Sequence, residues 1–594
     1  MIRYQVRSSK PATHYFEVKI SIDNPDPAGQ CLRMPNWIPG SYMIRDFAKN
    51  LLTIQARSGD RVVDMRQLDK SNWCLEPCSG PVVIEYLVYA WDLSVRAAHL
   101  DQTHGYYNGT SLFMEVTGQS QKPCEVLIEK PPADYCSHWK LATTLQPVDT
   151  APFEFGLYAA SDYDDLIDHP VEMGDFTQIR FEACGIPHDI ILSGRFSCDQ
   201  ERLRNDLKKI CQHHIRFFGE PAPMASYQFL VMVVGQGYGG LEHRSSTSLM
   251  CERDSLPQTG QTEVTENYRE FLGLCSHEYF HTWNVKRIKP AAYQPYDLQQ
   301  EVYTDLLWAF EGITSYYDDL ALVRCGLIDE SSYLELLAQT MTRVQRGKGS
   351  RRQSVAESSF NAWTKFYKAD ENAQNAIVSY YAKGCLIALC IDLKMRKLSR
   401  SRVSLDDVMR QLWQLQLETG AGIETQTIQD LIASMIETDL HEFLHLLIYT
   451  SAELPLKELL ASVGVELTLR QTANQKDKGG LKKEGPLPEV ELGAFLQEKE
   501  AGLQIARISE DGAAQNAGLS ANDVIIAVNG LKLTLAKLEQ QLLLASVGEF
   551  WKIHAFRRDE LMEFNLELVA APRNTVVLQA GEQHASRKDW LKGD

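Results

Sequence analysis

The sequence lacks several features that mark large classes of proteins. It has no excess of basic residues, since 60 lysines and arginines against 78 acidic residues leave a net charge of −18. That balance excludes nucleic acid as the expected main partner, because phosphate binding needs a basic surface. It has no C-x-x-C pair among 13 scattered cysteines, which favours free, mostly buried thiols over disulfides or a zinc–cysteine site. The first residues lack the apolar core of a signal peptide, and no run of about 18 apolar residues predicts a membrane span. We expect a cytoplasmic protein.

The length of 594 residues exceeds what one hydrophobic core supports, so the sequence predicts a multidomain α+β chain. Alternating, β-rich segments between turn residues predict a sandwich-like β domain over residues 1–180. A mostly α-helical domain is predicted over residues 181–455, with helices at 264–284, 301–324, 330–346, 376–397, 404–418 and 425–449. A polar connecting segment is expected at 456–491, a compact segment at 492–572 and a polar tail at 573–594.

The pattern H-E-x-x-H occurs twice in the chain. The first copy lies in "LCSHEYFHTWN", residues 274–284, and contains His277, Glu278 and His281. Residues four apart share one face of a helix, so both histidines can reach one Zn²⁺ with the glutamate beside the metal-bound water. A catalytic zinc site also needs a third protein ligand and one open position.

A candidate for the third ligand follows in "LLWAFEGITSYYDDLAL". Tryptophan, alanine and phenylalanine precede Glu311, and a carboxylate that faces such an interior needs a partner. Asp318 falls on the same helix face and could accept a hydrogen bond from a ligand histidine. We therefore expect one zinc ion, held by His277, His281 and Glu311.

The second copy, in "DLHEFLHLLIY", contains His441, Glu442 and His445. Pro455 and the short spacing that follows make a second facing helix with a third ligand improbable. No glycine-rich strand precedes this copy. An amphipathic helix with polar residues on its wet face is the expected structure, without a metal.

Two further stretches belong with the first copy. In "GGLEH", Gly239 and Gly240 leave a strand edge free of side chains that an extended peptide can approach, and Glu242 could bind an α-ammonium group. In "SYYAKG", residues 379–384, a tyrosine hydroxyl could donate to a developing oxyanion. Each stretch alone is weak evidence.

At these residues the chain resembles the gluzincin metallopeptidases, and in particular the glycyl aminopeptidase family with an appended PDZ domain. The stretches that carry the resemblance are "WIPGSYMIRDF", "GGLEH", "HEYFHTWNVKRIKP", "FEGITSYYDDL" and "YYAKG". It implies a thermolysin-like catalytic domain at 181–455, and it places the oxyanion role on Tyr381 rather than Tyr380. His243 stands where larger relatives have asparagine.

The run "GAAQNAGLSANDVIIAVNG" resembles the PDZ signature, so residues 492–572 are expected to form a PDZ-like domain. Its carboxylate-binding loop would be "LGAF", residues 492–495, which departs from the usual G-L-G-F. The resemblance to PDZ domains implies a polypeptide ligand as a further partner.

Motifs and resemblance together predict a zinc aminopeptidase that acts on peptides with a free N-terminus. Glu278 would take the proton of the attacking water, Tyr381 would stabilise the oxyanion and Glu242 would hold the N-terminus. The resemblance implies a preference for small N-terminal residues such as glycine or alanine. Two alternatives stay open: a zinc endopeptidase to which the PDZ-like domain delivers polypeptide ends, and a non-catalytic PDZ scaffold.

Overall fold

The structure, a computed structural model, describes residues 1–436, 438–483 and 485–593. Glu437 of the predicted helix at 425–449, Glu484 of the predicted connecting segment and Asp594 of the predicted tail lie outside the described residues. The chain divides into two compact units: Met1–Val302 with Leu412–Ile423, and Tyr303–Gln411 with Glu424–Asp594. The first unit is rich in strands, and the second contains a helical region and a small β domain. The predicted α+β class is confirmed.

Alternating sequences form the strands of the N-terminal region. Buried residues alternate with more exposed ones along "YFEVKISI" and "VVIEYLVY", so one face of each strand packs into the core. The elements are β1 (Ile2–Arg7), β2 (Tyr15–Ile22), β3 (Cys31–Arg33), β4 (Leu51–Ser58), β5 (Arg61–Val63), β6 (Met65–Gln67), β7 (Asn72–Leu75), β8 (Val82–Tyr89), β9 (Ala98–Leu100), β10 (His104–Tyr107), β11 (Glu115–Val116), β12 (Cys124–Ile128), α1 (Ala133–Cys136), β13 (Lys140–Ala142), β14 (Gln146–Pro147), β15 (Gly156–Ala160), α2 (Tyr163–Ile167) and β16 (Val171–Gly174).

These strands form one large sheet and two small ones. The large sheet has eight strands in the order β14-β15-β12-β1-β2-β8-β4-β5. The small sheets have the orders β13-β16-β10-β9 and β11-β3-β7-β6.

One disulfide corrects the expectation that the cysteines are free thiols. Cys31 on β3 lies directly opposite Cys74 on β7, and the two are bonded. Their 43-residue separation gave no hint of this pairing, because antiparallel neighbours meet through sheet register rather than sequence spacing. The remaining 11 cysteines are free thiols.

A five-stranded sheet in the order β17-β18-β19-β21-β20 follows, with β20 at its edge. The predicted domain boundary at residue 180 falls inside β17, because the alternating pattern continues across it. The elements are β17 (Thr177–Ala183), β18 (Ile186–Ser193), α3 (Gln200–Phe218), β19 (Tyr227–Val234), β20 (Gly239–Glu242), β21 (Ser246–Glu252) and α4 (Glu266–Phe280).

The helical part of the second unit begins with a π-helical turn at Trp308–Gly312. The predicted helix at 425–449 is two helices, α11 and α12. The α-helices are α5 (Ile313–Arg324), α6 (Glu330–Arg346), α7 (Val355–Phe360), α8 (Ala373–Ala376), α9 (Tyr380–Ser399), α10 (Leu405–Thr419), α11 (Thr425–Ile436), α12 (His441–Tyr449) and α13 (Leu456–Ala461). Within the described residues, only the helical stretch Ala373–Ser399 is long and apolar enough to cross a membrane. Of its most apolar part, 78% is buried, as in a core helix.

The C-terminal β domain has a sheet in the order β24-β25-β26-β28-β29, with β24 at one edge and β27 paired to β26. The elements are β22 (Val465–Arg470), β23 (Val490–Glu491), β24 (Ala494–Lys499), β25 (Gly502–Ile508), α14 (Ala513–Asn516), β26 (Val524–Val528), β27 (Leu531–Lys532), α15 (Leu535–Leu544), β28 (Phe550–Arg557), β29 (Glu560–Glu567), β30 (Val569–Ala570), β31 (Thr575–Ala580) and α16 (Ala585–Lys592).

Residues 573–594, predicted to be a polar tail, contain a strand and a helix instead. β31 pairs with β22 along six residues, and α16 buries Trp590 completely. The Trp590 indole N–H donates to the Tyr316 hydroxyl at 2.8 Å. A few buried apolar residues anchor this segment. The prediction missed them because the segment as a whole is polar in composition.

Candidate active site

Helix α4 carries the first H-E-x-x-H copy, whose last residue, His281, is the C-cap of the helix. The Thr265 side chain accepts a hydrogen bond from the Tyr268 N–H and caps the start of the helix. The motif lies at the other end, where His277 is half-buried and both Glu278 and His281 are buried. The His281 Nδ1 lies 2.7 Å from the carbonyl oxygen of Asn284. Donation from Nδ1 to that carbonyl leaves Nε2 as the lone-pair nitrogen, the arrangement expected of a metal-binding histidine.

Strand β20 places Glu242 in the same unit, with its carboxylate almost fully buried. Gly40, in the loop "WIPGSY", lies against this carboxylate so closely that a Cβ on Gly40 would be 2.5 Å from Oε2. The φ angle of Gly40 is +91°, which glycine adopts without strain. No pattern in the sequence indicated that Gly40 lies near Glu242, since nothing in the Pro-Gly turn points to a glutamate 202 positions away.

Two carboxylates and one imidazole of this unit lie close together. One ligand atom from each of Glu242, Glu278 and His281 lies within 4.8 Å of the other two. The Glu278 carboxylate also lies directly over Gly240, where a Cβ would be 2.1 Å from Oε1. The glycines of "GGLEH" therefore let the strand edge lie close to the motif. The predicted approach of an extended peptide to this edge stays a prediction.

A charged network fixes the strand beyond Glu242. Asp168 accepts hydrogen bonds from His243 Nδ1 at 3.3 Å and from the Arg244 amide at 3.1 Å, and pairs with Lys286 Nζ at 2.6 Å. Burial opposes the ionisation of Asp168, but Lys286 and Arg244 outweigh it and hold its pKa well below the usual value. His243 thus faces Asp168, a residue that no sequence signal had singled out.

In the second unit, the π-helical turn holds Glu311 with its side chain buried. Gly312 follows it and packs against Gly384 of α9, where a Cβ would be 2.5 Å from the Gly384 Cα. Two glycines in contact let the turn and the start of α9 approach closely. This contact explains the glycines in "FEG" and "YYAKG".

The two tyrosines at the start of α9 differ in exposure. Tyr380 is fully buried, and burial together with Tyr367 and Glu311 raises its pKa well above the usual value. Tyr381 is half-buried, and its hydroxyl lies 3.5 Å from that of Tyr367. Tyr381 is the more accessible of the two.

Asp318, predicted to support a ligand histidine, is half-buried on α5. Its Oδ1 accepts a hydrogen bond from the Asp319 amide at 2.5 Å. The Nδ1 of His281 already has a carbonyl partner. The predicted hydrogen bond from a ligand histidine to Asp318 would therefore have to come from His277, and it stays a prediction.

The second copy opens α12, and its three motif residues are all exposed. His441 Nδ1 lies 2.8 Å from Asp439 Oδ1, an exposed contact. Among the described residues, no group of three candidate metal ligands includes His441 or His445. The copy has the surroundings of a solvated helix face.

The edge strand of the C-terminal β domain is partly occupied. The Gln475 side chain donates to the Leu496 carbonyl at 2.8 Å and accepts from the Leu496 N–H at 3.1 Å. An added peptide strand would use the free backbone groups of β24. The connecting segment thus already engages one residue of this edge.

Family models match three parts of the chain: the Peptidase M61 N-terminal domain at residues 3–175, M61 glycyl aminopeptidase at 270–387 and a PDZ domain at 481–554. A solved structure, the aminopeptidase N family protein from Idiomarina loihiensis, is 44% identical, with a TM-score of 0.96 and 100% of each chain covered. An M1 zinc metallopeptidase from Deinococcus radiodurans is 11% identical, with a TM-score of 0.47, covering 77% of this chain and 94% of that one. A comparison with curated proteins finds no match.

The fold, the buried H-E-x-x-H helix and these matches define a metallopeptidase with a PDZ domain. The chain belongs to the M61 glycyl aminopeptidase family. The predicted family, fold class and enzyme class are confirmed.

Proposed function

We propose that this chain is a zinc aminopeptidase that removes one residue at a time from the free N-terminus of peptides. The observation that carries the proposal is the Glu242 carboxylate. It is buried, and within the described residues its Oε1 has no hydrogen-bond partner. A buried carboxylate oxygen without a donor is costly, so the site favours a ligand that brings a cation. The α-ammonium of a peptide is such a ligand.

The position of Glu242 limits where the chain can be cut. Its carboxylate lies within 4.8 Å of that of Glu278, the proposed general base. An ammonium bound to Glu242 therefore leaves room for only about one residue before the scissile bond, because a strand rises about 3.3 Å per residue. This spacing supports cleavage after the first residue and disfavours an endopeptidase.

The donor set fits one Zn²⁺ on His277, His281 and Glu311. Two imidazoles and one carboxylate are the ligand chemistry of catalytic zinc, and the Asn284 carbonyl holds His281 with Nε2 as the lone-pair nitrogen. When bound, zinc would supply a water of lowered pKa and polarise the scissile carbonyl. Asp318 would serve His277 as hydrogen-bond acceptor.

The protein groups complete the reaction. Glu278 takes the proton of the attacking water and passes it to the leaving amine. The Tyr381 hydroxyl donates to the oxygen on which negative charge develops. The half-buried position of Tyr381 supports this role over Tyr380, which is fully buried. Family membership supports small N-terminal residues, glycine or alanine, as the preferred substrates.

A different metal site is the specific rival within the structure. Glu242, Glu278 and His281 also form a group of candidate ligands. If they held the ion, the amine anchor and the base would both be consumed as ligands. The two sites differ in one simple measurement: Glu242→Ala should keep bound zinc under our proposal and lose it under the rival.

The proposal is tested with a dipeptide panel that has free and N-acetylated amines, assayed with and without a chelator. We expect hydrolysis of the free-amine peptides alone, abolished by the chelator and restored by zinc. Efficient cleavage of acetylated peptides would instead support the endopeptidase. The Gln475 contact at the PDZ edge strand weighs against the variant in which that strand delivers substrate, since Leu496 is already engaged.

A further inference from the structure

We propose that Arg96 forms a carboxylate-binding subsite on the leaving-group side of the scissile bond. The site would favour peptides that carry a carboxylate on the residue directly after that bond. The inference rests on the proposed aminopeptidase function and adds a substrate class to it.

Arg96 lies against the glycine strand that the peptide is expected to follow. Its Nη2 donates to the carbonyl oxygen of Gly240 at 3.2 Å. Its Nη1 lies 3.5 Å from the position that a Cβ on Gly239 would take. The guanidinium therefore covers the end of β20 opposite to Glu242.

Three charged groups follow one another along this strand. Glu242 stands at the end where the peptide amine would bind, and Glu278 lies over Gly240. Arg96 lies over Gly239 and Gly240. An extended peptide that starts at Glu242 thus passes the base first and then reaches the guanidinium with its second residue, given a rise of about 3.3 Å per residue.

Most hydrogen-bond donors of the Arg96 guanidinium are available to a ligand. The guanidinium has five N–H groups, and one hydrogen bond to Gly240 leaves most of them available. Within the described residues, no carboxylate forms an ion pair with Arg96, whereas Arg33, Arg180 and Arg244 each have at least one acidic partner. A half-buried arginine that pairs with no carboxylate in the described part of the chain is suited to a carboxylate of the substrate.

The backbone on both sides of Arg96 is held in place. Asn108 donates from its side-chain Nδ2 to the Val95 carbonyl at 2.5 Å and from its backbone N–H to the Ala97 carbonyl at 3.0 Å. The Tyr106 hydroxyl also contacts the Val95 carbonyl, at 3.1 Å, and donates to Ser248 on β21 at 2.7 Å. The loop is thereby tied to the same sheet as the glycine strand, which reduces the ordering cost of binding.

The carboxylate could come from two sources, and two substrate pairs separate them. Ala-Ala against Ala-Ala-amide tests the C-terminal carboxylate of a dipeptide. Ala-Glu-amide against Ala-Gln-amide tests an acidic side chain. In wild type, we expect kcat/KM to favour the carboxylate in at least one pair by about tenfold, the lower range for hydrogen bonds to a charged group. High salt should reduce that preference, because the site is only half-buried.

The variants are Arg96→Gln, which removes the charge, and Arg96→Lys, which keeps it. Arg61→Gln removes the same charge from an exposed position on β5 and serves as the control. We expect the preference to fall to about one in Arg96→Gln, to survive in part in Arg96→Lys, and to stay at the wild-type value in Arg61→Gln. Because each value is a ratio within one protein, a general loss of activity does not produce this pattern.

Two results would overturn the proposal. If wild type cleaves all four peptides and Arg96→Gln leaves both ratios unchanged, the subsite is refuted while the aminopeptidase function stands. If wild type cleaves none of the four, although each has a free amine, the proposed function is refuted and the subsite with it.

Discussion

The helices α4 and α12 share a five-residue pattern and differ in almost everything around it. In α4, Glu278 and His281 are buried, an edge strand with two glycines lies alongside, and the Asn284 carbonyl orients a ring. In α12, the three motif residues are exposed, and the partner of His441 is an exposed aspartate. The motif sets only the spacing of two imidazoles. Burial, a close backbone strand and a hydrogen-bonded imidazole ring distinguish the first copy from the second.

The largest effect should separate the two copies. We expect His277→Ala to lose both bound zinc and activity, because two remaining ligands hold zinc poorly. The matched variant, His441→Ala, should retain both. Elemental analysis of the purified proteins and turnover of a free-amine dipeptide provide the measurements. Zinc lost from His441→Ala but kept by His277→Ala would reverse our assignment.

The second effect concerns the glutamates within the motifs. Glu278→Gln should keep zinc and the fold but lower kcat by about 10²–10⁴-fold, since an amide cannot accept the proton of the water. Glu442→Gln should be indistinguishable from wild type. Stopped assays with long incubation are needed for the slow variant. Near-normal turnover in Glu278→Gln would mean that another group is the base.

A third test extends the comparison beyond the motif, to a group that only the first copy is proposed to use. Tyr381→Phe should lower kcat by roughly 10²–10³-fold and change KM little, because its hydroxyl acts on charge that develops in the transition state. Tyr380→Phe is the control at the adjacent position. A large loss of kcat in the control instead would shift the oxyanion role by one residue.

A fourth comparison concerns stability rather than turnover, and it uses the aspartates beside the two copies. Asp168→Asn leaves Lys286 buried without its partner, which should cost about 3–5 kcal/mol of unfolding free energy at neutral pH. Asp439→Asn removes only an exposed contact and should leave stability unchanged.

The pH dependence gives the sign of the Asp168 effect. Its folded-state pKa lies well below that of an unfolded aspartate, about 3.9. The stabilisation is thus complete above about pH 4 and is lost as pH falls through the lower folded-state value. Urea unfolding of wild type and Asp168→Asn should show a gap that narrows in acid. A gap that widened in acid would contradict the charge pairing.

The sequence pointed to those residues of the proposed site that lie in local motifs, but it did not reveal the contacts between distant segments. His277, Glu278, His281, Glu242 and the glycines of "GGLEH" follow from spacing along one helix or one strand. The contacts of Gly40 with Glu242 and of Arg96 with Gly240 join residues 202 and 144 positions apart, and no periodic pattern encodes such pairs.

The same reason explains the errors in the fold. The Cys31–Cys74 bond depends on the register of two paired strands, which the cysteine spacing does not reveal. The predicted polar tail pairs with β22 and buries Trp590 beside Tyr316, and both partners lie far away in the sequence. Helix α6 was predicted with its observed bounds, because its burial follows from the periodic pattern of its own sequence.

The central claim is that Glu242 makes the first copy an exopeptidase site, and one ratio tests it most directly. The ratio is kcat/KM for Ala-anilide divided by kcat/KM for acetyl-Ala-anilide, measured in wild type and in Glu242→Ala with equal zinc content. We predict a high ratio in wild type and a fall of about 10–100-fold in the variant, the range for a hydrogen-bonded charge. A ratio that the substitution leaves unchanged would contradict the amine anchor and favour the endopeptidase.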